Sequence, residues 1–229
     1  MKELLLFVSG RGSNMLAIMD NLEKHNWPFA IQGVISDTDC DALMIANNRG
    51  YMTEWINRKK IGNDNFQTVM RERIRQFKPD LVALAGFMVI LDKNVFSGLF
   101  DKMINIHPSL LPKYKGLNTH KRVIRDGDEY HGATVHAVSA GVDEGQIITQ
   151  KKIKVKSGES PEALAKRVLE VEHEIYPLTI ASIMSERIIF KNGKWVMNDT
   201  HKSWPWPPEA ILEICDKNLI DGNTKKSDS

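Results

Sequence analysis

Short apolar runs alternate with amphipathic segments along the first half of the chain. Residues 4–8 are continuously apolar, which is typical of a strand that is buried on both faces of a parallel sheet. A glycine-rich turn follows, and the apolar residues of segment 15–24 then recur at the spacing of one helical face. The same patterns predict further strands at residues 29–35, 51–56, 81–85 and 103–106, and further helices at residues 42–48 and 66–77.

Strands that alternate with helices over short connections predict an α/β fold. We expect a Rossmann-like, doubly wound and mostly parallel sheet with helices on both of its faces. In such sheets ligands bind beyond the carboxyl ends of the strands. Here those ends are followed by the segments that begin at Ser9, Gly86 and Asn105. We therefore expect these three segments to border one crevice.

The second half of the chain has a different pattern. It predicts a C-terminal part with antiparallel strands and a long helix over residues 160–185, with Ser160 as a helix cap. Pro177 is expected to kink or divide that helix. The turn sequence "KNGK" predicts a β-hairpin. The predicted strands lie at residues 133–138 and 146–155 and within residues 187–196.

Composition narrows the class of protein. The chain has 229 residues, of which 42% are apolar, enough for a substantial core. A net charge of +2 does not indicate a nucleic-acid or membrane partner. The apolar N-terminal run is too short for a secretory signal, and no run approaches the length of a membrane span. We interpret Cys40 and Cys215 as reduced thiols in a cytoplasmic protein.

We predict one domain over residues 1–199, with an N-terminal half of about residues 1–100 and a C-terminal half of about residues 101–199. From residue 200 the chain becomes polar and proline-rich, and it contains the stretch "SWPWPP". We expect residues 200–229 to form a C-terminal tail that is partly disordered.

The sequence "SGRGSN", residues 9–14, joins the first predicted strand to the first predicted helix. Its glycines allow close backbone approach, and Ser13 is expected to be the helix N-cap. Free N–H groups and the helix dipole at such a turn favour phosphate. The turn lacks the third glycine of a dinucleotide fingerprint and the GK[ST] of a P-loop. An ordinary strand-to-helix turn with a serine cap explains the pattern equally well.

The stretch "INIHPSLLP" carries the first candidate for chemistry. If Asn105 and His107 lie in one extended strand, their side chains point to the same face. Pro108 favours this, because the residue before a proline avoids the α region. An amide N–H can stabilise an oxyanion, and an imidazole can transfer a proton near neutral pH. Taken alone, a histidine at a strand end is more often a structural residue.

Two acidic residues are further candidates. Asp143 lies in a glycine-flanked loop between two predicted strands, where its carboxylate can orient an imidazole and raise its pKa. A turn aspartate is the commoner explanation. By pattern alone, Glu172 is a solvated helix residue. The spacing of His131 and His136 relative to His107 matches no metal template, so no metal is predicted.

Five motifs together resemble the glycinamide branch of the formyltransferase family. In order along residues 3–199 they are "VSGRGSN", "PDLVALAGFMVIL", "INIHPSLLPKYKGLNTH", "HGATVHAVSAGVDEGQII" and "VEHEIYPL". "HPSLLP" with the downstream Asp-x-Gly is shared by the wider family, whereas "GLNTH", "HGATVH" and "EHEIYPL" indicate this branch. The resemblance implies transfer of the formyl group of 10-formyltetrahydrofolate, as co-substrate, to the amine of 5-phosphoribosylglycinamide in purine biosynthesis.

The resemblance also implies roles for single residues. Asn105 and His107 would stabilise the oxyanion, and His107, held by Asp143, would move the proton. The N-terminal half would bind the substrate phosphate, and the C-terminal half would bind folate and catalyse the reaction. Expected substrate contacts are Gly12, Ser13, Asn14 and Glu172, and expected folate contacts are Met88, Val89, Ile90, Leu91 and Asn105.

Three positions depart from the family pattern. Val89 stands where many members carry arginine, Asn63 where some carry arginine near the folate tail, and Leu169 where a polar side chain assists substrate binding. We expect altered affinities and an intact reaction. The resemblance implies small-molecule substrates only, no metal, no nucleic acid, no membrane, and a monomer or homodimer.

Three other functions share parts of this pattern. Methionyl-tRNA formyltransferases share the core chemistry but carry a further C-terminal domain. Formyltetrahydrofolate hydrolases share the Asn, His and Asp set but carry a further N-terminal domain, whereas this chain starts with its first strand. A nucleotide-binding dehydrogenase or non-catalytic module is disfavoured, because the acidic residue that usually ends the second strand is missing and Asp37 is the nearest candidate.

Overall fold

The structure is a computed structural model that describes residues 1–99 and 101–198. The predicted tail at residues 200–229, with its Trp-Pro stretch, and Cys215 lie outside the described residues. Within the described part, no helix is long and apolar enough to cross a bilayer.

The described residues form nine strands, most of them close to the predicted positions. The strands are β1 (Lys2–Val8), β2 (Phe29–Ser36), β3 (Thr53–Trp55), β4 (Leu81–Leu84), β5 (Met103–His107), β6 (Tyr130–Ala137), β7 (Ile147–Lys154), β8 (Ile188–Lys191) and β9 (Lys194–Met197).

Seven helices lie between or after these strands in the described ranges. They are α1 (Ser13–His25), α2 (Asp41–Asn48), α3 (Arg58–Ile61), α4 (Asn63–Phe77), α5 (Lys93–Phe96), α6 (Thr119–Asp126) and α7 (Pro161–Met184).

Seven strands form one sheet in the order β3-β2-β1-β4-β5-β6-β7. The first five are parallel to one another, whereas β6 and β7 are antiparallel to their neighbours. β8 and β9 form a separate antiparallel hairpin, as the "KNGK" turn predicts. The predicted α/β fold is therefore confirmed, including the antiparallel C-terminal part.

The position of β1 in the sheet explains why its sequence is continuously apolar. Leu4 and Leu6 pack into the core cluster that contains residues of α1 and α7. Leu5 and Phe7 face the other side, into the cluster that contains residues of α4. All four side chains are fully buried. Helices thus cover both faces of the sheet, as expected for a doubly wound fold.

Four helices differ from the prediction, and two of them, α3 and α5, are four-residue helices that were not predicted. Helix α6 was not predicted, because its sequence THKRVIRD is largely polar and Val123 is its one fully buried apolar residue. Helix α7 runs undivided through Pro177, although a division or kink was expected there. Its C-terminal part is buried around the proline, and that packing keeps the helix continuous across the lost hydrogen bond. The predicted Ser160 cap is present, since its side chain accepts a hydrogen bond from the Ala163 N–H.

Candidate active site

A cavity of about 670 Å³ opens where the parallel strands end. Its walls come from the segments after β4 and β5, from the β6–β7 loop, and from α1 and α7. This volume is within the range of small-molecule sites. The segments expected to converge after β4 and β5 both border it, and Asn14 brings in the turn after β1.

Strand β5 presents Asn105 and His107 to this cavity. Both lie in the extended segment Met103–His107, two residues apart, so they share one face. The antiparallel neighbour β6 sets Asn105 opposite His136 and His107 opposite Thr134. The geometry predicted for the two side chains is therefore present.

The His107 ring lies between two hydrogen-bond acceptors. Its Nδ1 is 3.2 Å from Oδ2 of Asp143, and its Nε2 is 2.9 Å from the carbonyl oxygen of Tyr114. A neutral imidazole has only one N–H, so it donates to one of these two acceptors and leaves its other nitrogen able to take up a proton. The His107 and Asp143 side chains are nearly buried, at 8% and 10% exposure. The arrangement therefore places an imidazole and a carboxylate within hydrogen-bond distance of each other, largely out of contact with water.

The backbone of the β6–β7 loop directs the Asp143 carboxylate. Asp143 has a φ of 53°, in the left-handed region, which is uncommon for a residue with a side chain. Its Oδ2 also accepts a hydrogen bond of 2.8 Å from the N–H of Gly116. Any Cβ at Gly145 would overlap the carbonyl oxygen of Ala137. The flanking glycine is thus required by close backbone packing.

A second histidine holds the Asn105 amide. His136 Nδ1 lies 2.9 Å from the Ala137 carbonyl and therefore carries the hydrogen, which leaves Nε2 as an acceptor. Asn105 Nδ2 donates to that Nε2 over 3.2 Å. Burial lowers the pKa of His136 and keeps the ring neutral. Because an amide has two hydrogens, the second one is available to a ligand. Sequence reasoning missed this role, which depends on the antiparallel register of β5 and β6.

The turn before α1 differs in one detail from the prediction. Ser13 is the first residue of the helix, and Gly12 is the N-cap, so the expected serine cap is wrong. Gly12 has a φ of 77°, and a Cβ there would lie 2.7 Å from Cβ of Ala42. Only glycine fits this position. No side chain caps the helix, so its first N–H groups remain available to an anion.

Ser9 connects this turn to two other segments. Its hydroxyl donates to Asp37 Oδ1 over 2.5 Å and accepts a hydrogen bond of 2.9 Å from the Met88 N–H. Asp37 is buried, and its second oxygen lies 3.7 Å from Nε of Arg58. Asp37 is therefore committed to structural bonds, which argues against the ribose contact of a dehydrogenase.

Glu172 is not the solvated helix residue that its sequence pattern indicates. It is buried at 8% exposure, because α7 packs against α1 in this region. Its Oε2 accepts a hydrogen bond of 2.7 Å from Nδ2 of Asn14. Burial raises the pKa of Glu172 to about 7. Asn14 Oδ1 is buried and has no donor among the described residues. A carboxylate and an unfilled amide oxygen thus lie together on the cavity wall.

The loop of Met88, Val89, Ile90 and Leu91 forms another wall. Gln67 on α4 fixes its backbone, donating to the Ile90 carbonyl over 2.9 Å and accepting from the Asp92 N–H over 3.0 Å. The side chain of Leu91 is in the core, whereas those of Met88 and Ile90 are 67% exposed. The loop therefore offers an apolar rim on a fixed backbone.

The three departures from the family pattern occupy different surroundings. Val89 is half-buried on the cavity wall. Asn63 is the exposed first residue of α4, and Leu169 is half-buried on α7. Neither of these two belongs to the cavity lining that the structure describes.

Two further histidines lie beside the cavity. His120 borders it, and its Nδ1 is 3.1 Å from Nε2 of His131. Burial lowers the pKa of both, and that of His131 falls to about 4. His131 and His136 both lie in β6. Within the described ranges, no three His, Cys, Asp or Glu side chains are grouped so that they could hold a metal ion.

Comparison with known proteins gives a single family. The sequence model described as formyl transferase matches residues 2–180. The chain is 36% identical to phosphoribosylglycinamide formyltransferase of Escherichia coli K12 over 198 residues, 84% of this chain and 92% of that one. It is 38% identical to the trifunctional purine biosynthetic protein adenosine-3 of Homo sapiens over 199 residues, 85% of this chain and 20% of that protein.

Solved structures agree with the sequence relatives. Glycinamide ribonucleotide transformylase 1 of Symbiobacterium toebii superposes with a TM-score of 0.81 at 33% identity, over 87% of this chain and 95% of that one. Phosphoribosylglycinamide formyltransferase of Coxiella burnetii also gives 0.81, at 34% identity, over 86% of this chain and 93% of that one.

Proposed function

Because the chain belongs to the formyl transferase family, we propose that it transfers a formyl group from 10-formyltetrahydrofolate to the amine of 5-phosphoribosylglycinamide. The product is formylglycinamide ribonucleotide, an intermediate of purine biosynthesis. The observation that carries the proposal is the buried His107–Asp143 pair beside Asn105, in a cavity bordered also by Asn14 and Glu172. This set provides an oxyanion site, a proton carrier and an amine-binding group together.

The phosphorylated substrate is assigned to the side of the cavity formed by α1 and α7. The uncapped N-terminus of α1, at Gly12, Ser13 and Asn14, binds the phosphate through backbone N–H groups and the helix dipole. Glu172 and the free Oδ1 of Asn14 accept hydrogen bonds from the amine or amide of the glycinamide group. A carboxylate with a pKa of about 7 suits an amine that must be uncharged to react.

The folate is assigned to the apolar side of the cavity. The pterin lies along the backbone of residues 88–91 and along the loop that precedes Asp143. Exposed Met88 and Ile90 cover its faces, and the fixed backbone supplies directional hydrogen bonds. Val89 contributes through its backbone, so the missing arginine at this position removes little.

The reaction is direct transfer through a tetrahedral intermediate. The amine nitrogen attacks the formyl carbon, a C–N bond forms, and the formyl oxygen becomes an oxyanion. The free N–H of Asn105 and the His107 ring stabilise that oxygen. The intermediate then collapses, and the bond from the formyl carbon to N10 breaks. The His107–Asp143 pair accepts the proton that the amine loses and returns a proton to N10.

The test is an absorbance assay of folate deformylation with the purified full chain, run with and without phosphoribosylglycinamide. We expect a signal only when the acceptor is present, together with one formylated product for each folate released. Equal deformylation without the acceptor would instead identify a hydrolase and overturn the proposal. No deformylation under either condition would also contradict it.

A further inference from the structure

A second cavity, of about 280 Å³, lies at the opposite end of the sheet. Pro79 and Lys102, which border it, stand just before β4 and β5, at the amino ends of these strands. The candidate active site lies at their carboxyl ends. The second cavity is therefore a separate concavity, formed between the last turns of α4 and the segment that contains α5.

Four cationic side chains border this cavity. Arg71, Arg75 and Lys78 follow one another at spacings of four and three residues, which sets them along one side of α4. Lys102 comes from the turn before β5. Like charges on adjacent helical turns repel one another, so the cluster is unfavourable unless an anion or solvent neutralises it.

None of these four cations has a carboxylate partner among residues 1–99 and 101–198. Other arginines of the described chain do, since Arg49, Arg73 and Arg167 each contact an aspartate or glutamate. The carboxylate that follows Lys78 most closely in sequence, Asp80, accepts a hydrogen bond from the N–H of Glu3. The positive charge of the cavity is therefore not balanced by the described part of the protein.

Arg71 carries the most specific signal. Its Nε is buried, and this N–H has no acceptor among the described residues. Burying a charged donor without an acceptor is costly, so such a group indicates a missing partner. The dipole of α4 explains Arg75 and Lys78, which lie at its C-terminal end. It does not explain Arg71, which lies one turn before Arg75, or Lys102 on another segment.

We propose that this cavity binds a small phosphate-bearing anion. Guanidinium groups bind phosphate oxygens through paired hydrogen bonds, and the two lysines add charge. Asn94 and Ser97 border the same space and supply uncharged polar contacts. The buried side chains of Ile74 and Val95 form an apolar floor. The volume suits pyrophosphate or a compact phosphate ester.

The test is isothermal titration of the full chain with inorganic pyrophosphate. Pyrophosphate is also expected to bind at the turn before α1. Variants of the cavity residues are therefore needed to show which of the two sites belongs to the cavity. We expect Arg71→Gln/Arg75→Gln to weaken one class of sites by at least about tenfold and to leave the other unchanged. Lys59→Gln/Lys60→Gln is the matched control, because it removes the same charge from exposed residues outside the cavity. This control should bind like the unchanged chain.

Folding of the variants is checked by circular dichroism and thermal unfolding. Arg75 is exposed, so Arg75→Gln alone preserves the fold and should still weaken the cavity sites severalfold. The proposal is overturned if both cavity variants bind pyrophosphate with unchanged affinity and stoichiometry. It is also overturned if the charge control loses as much affinity as the double variant, or if the unchanged chain binds no pyrophosphate at millimolar concentration.

Discussion

At the scale of single residues, the two acceptors around the His107 ring determine its chemistry. Asp143 and the Tyr114 carbonyl each lie within hydrogen-bond distance of one ring nitrogen, and the ring is nearly removed from water. The ring is thereby held beside the Asn105 amide on the wall of the cavity. Sequence spacing places Asn105 and His107 on one face but says nothing about the second acceptor, which belongs to a loop seven residues later.

We expect His107→Ala and Asp143→Asn each to lower kcat by about 10²- to 10⁴-fold, because each removes part of the proton-carrying pair. Single-turnover and steady-state assays of the purified variants measure this. An unchanged thermal midpoint serves as the control for folding. Near-normal turnover in His107→Ala would rule out the assigned role.

Glu172 predicts a pH dependence of stability. Burial raises its pKa from 4.5 to about 7, so the folded protein takes up this proton at a higher pH than the unfolded chain. The stabilisation is therefore complete below about pH 4.5 and is lost as the pH rises through about 7. A shift of this size corresponds to about 3 kcal/mol.

Glu172→Gln keeps the shape and removes the titration. Denaturant unfolding of both proteins at acidic and mildly alkaline pH measures the difference. The unchanged chain should lose free energy of unfolding relative to Glu172→Gln as the pH rises. A parallel pH dependence of the two proteins would show that Glu172 titrates normally. The same substitution should raise the KM for phosphoribosylglycinamide more than it lowers kcat.

At the scale of elements, the loop after β4 owes its conformation to helix α4. Gln67 is buried and makes two hydrogen bonds to the backbone of this loop, at Ile90 and Asp92. The continuous apolar character of the neighbouring strands predicts their burial. It does not reveal that one glutamine positions the segment assigned to folate.

We expect Gln67→Leu to raise the KM for 10-formyltetrahydrofolate severalfold, because the loop loses two anchoring bonds. The KM for the amine substrate should change much less, since its assigned contacts lie on α1 and α7. Thr68→Ala is the matched control on the same helix, because its hydroxyl bonds only to the Asp64 carbonyl. Equal effects on both KM values would contradict a local role for Gln67.

At the scale of the whole molecule, helix α7 joins the two halves of the site. It brings Glu172 against α1, and one turn later its fully buried Tyr176 reaches the sheet. The Tyr176 hydroxyl donates to the carbonyls of Leu84 and Ile104, at 3.0 and 3.3 Å. These carbonyls lie in β4 and β5, whose ends carry the candidate site. The helix thus connects β4 and β5 to the turn before α1.

We expect Tyr176→Phe to lower the free energy of unfolding by about 1–3 kcal/mol, because two buried carbonyls lose their donor. Turnover at saturating substrate should change little, since the hydroxyl does not border the cavity. Denaturant unfolding and the deformylation assay measure the two quantities on one preparation. Loss of turnover without loss of stability would assign Tyr176 to the reaction instead.

Local patterns in the amino-acid sequence are enough to predict the fold class and where the candidate site lies along the chain. An apolar run such as residues 4–8 is removed from water only when both faces of the strand are buried. The proline after His107 keeps the end of its strand extended. These are local constraints, and the chain obeys them in any surroundings. The reaction was predicted from the family motifs, because the pattern of apolar and polar residues does not specify a reaction.

The partners of the candidate site residues follow from the packing of the folded chain and not from local sequence. Glu172 follows a pattern that indicates solvent, yet packing of α7 on α1 buries it against Asn14. His136 acts on Asn105 because β5 and β6 pair in one antiparallel register. The cationic cavity likewise joins α4 to residues before β5. Such contacts link residues far apart in the chain, and burial, register and pKa follow from that packing.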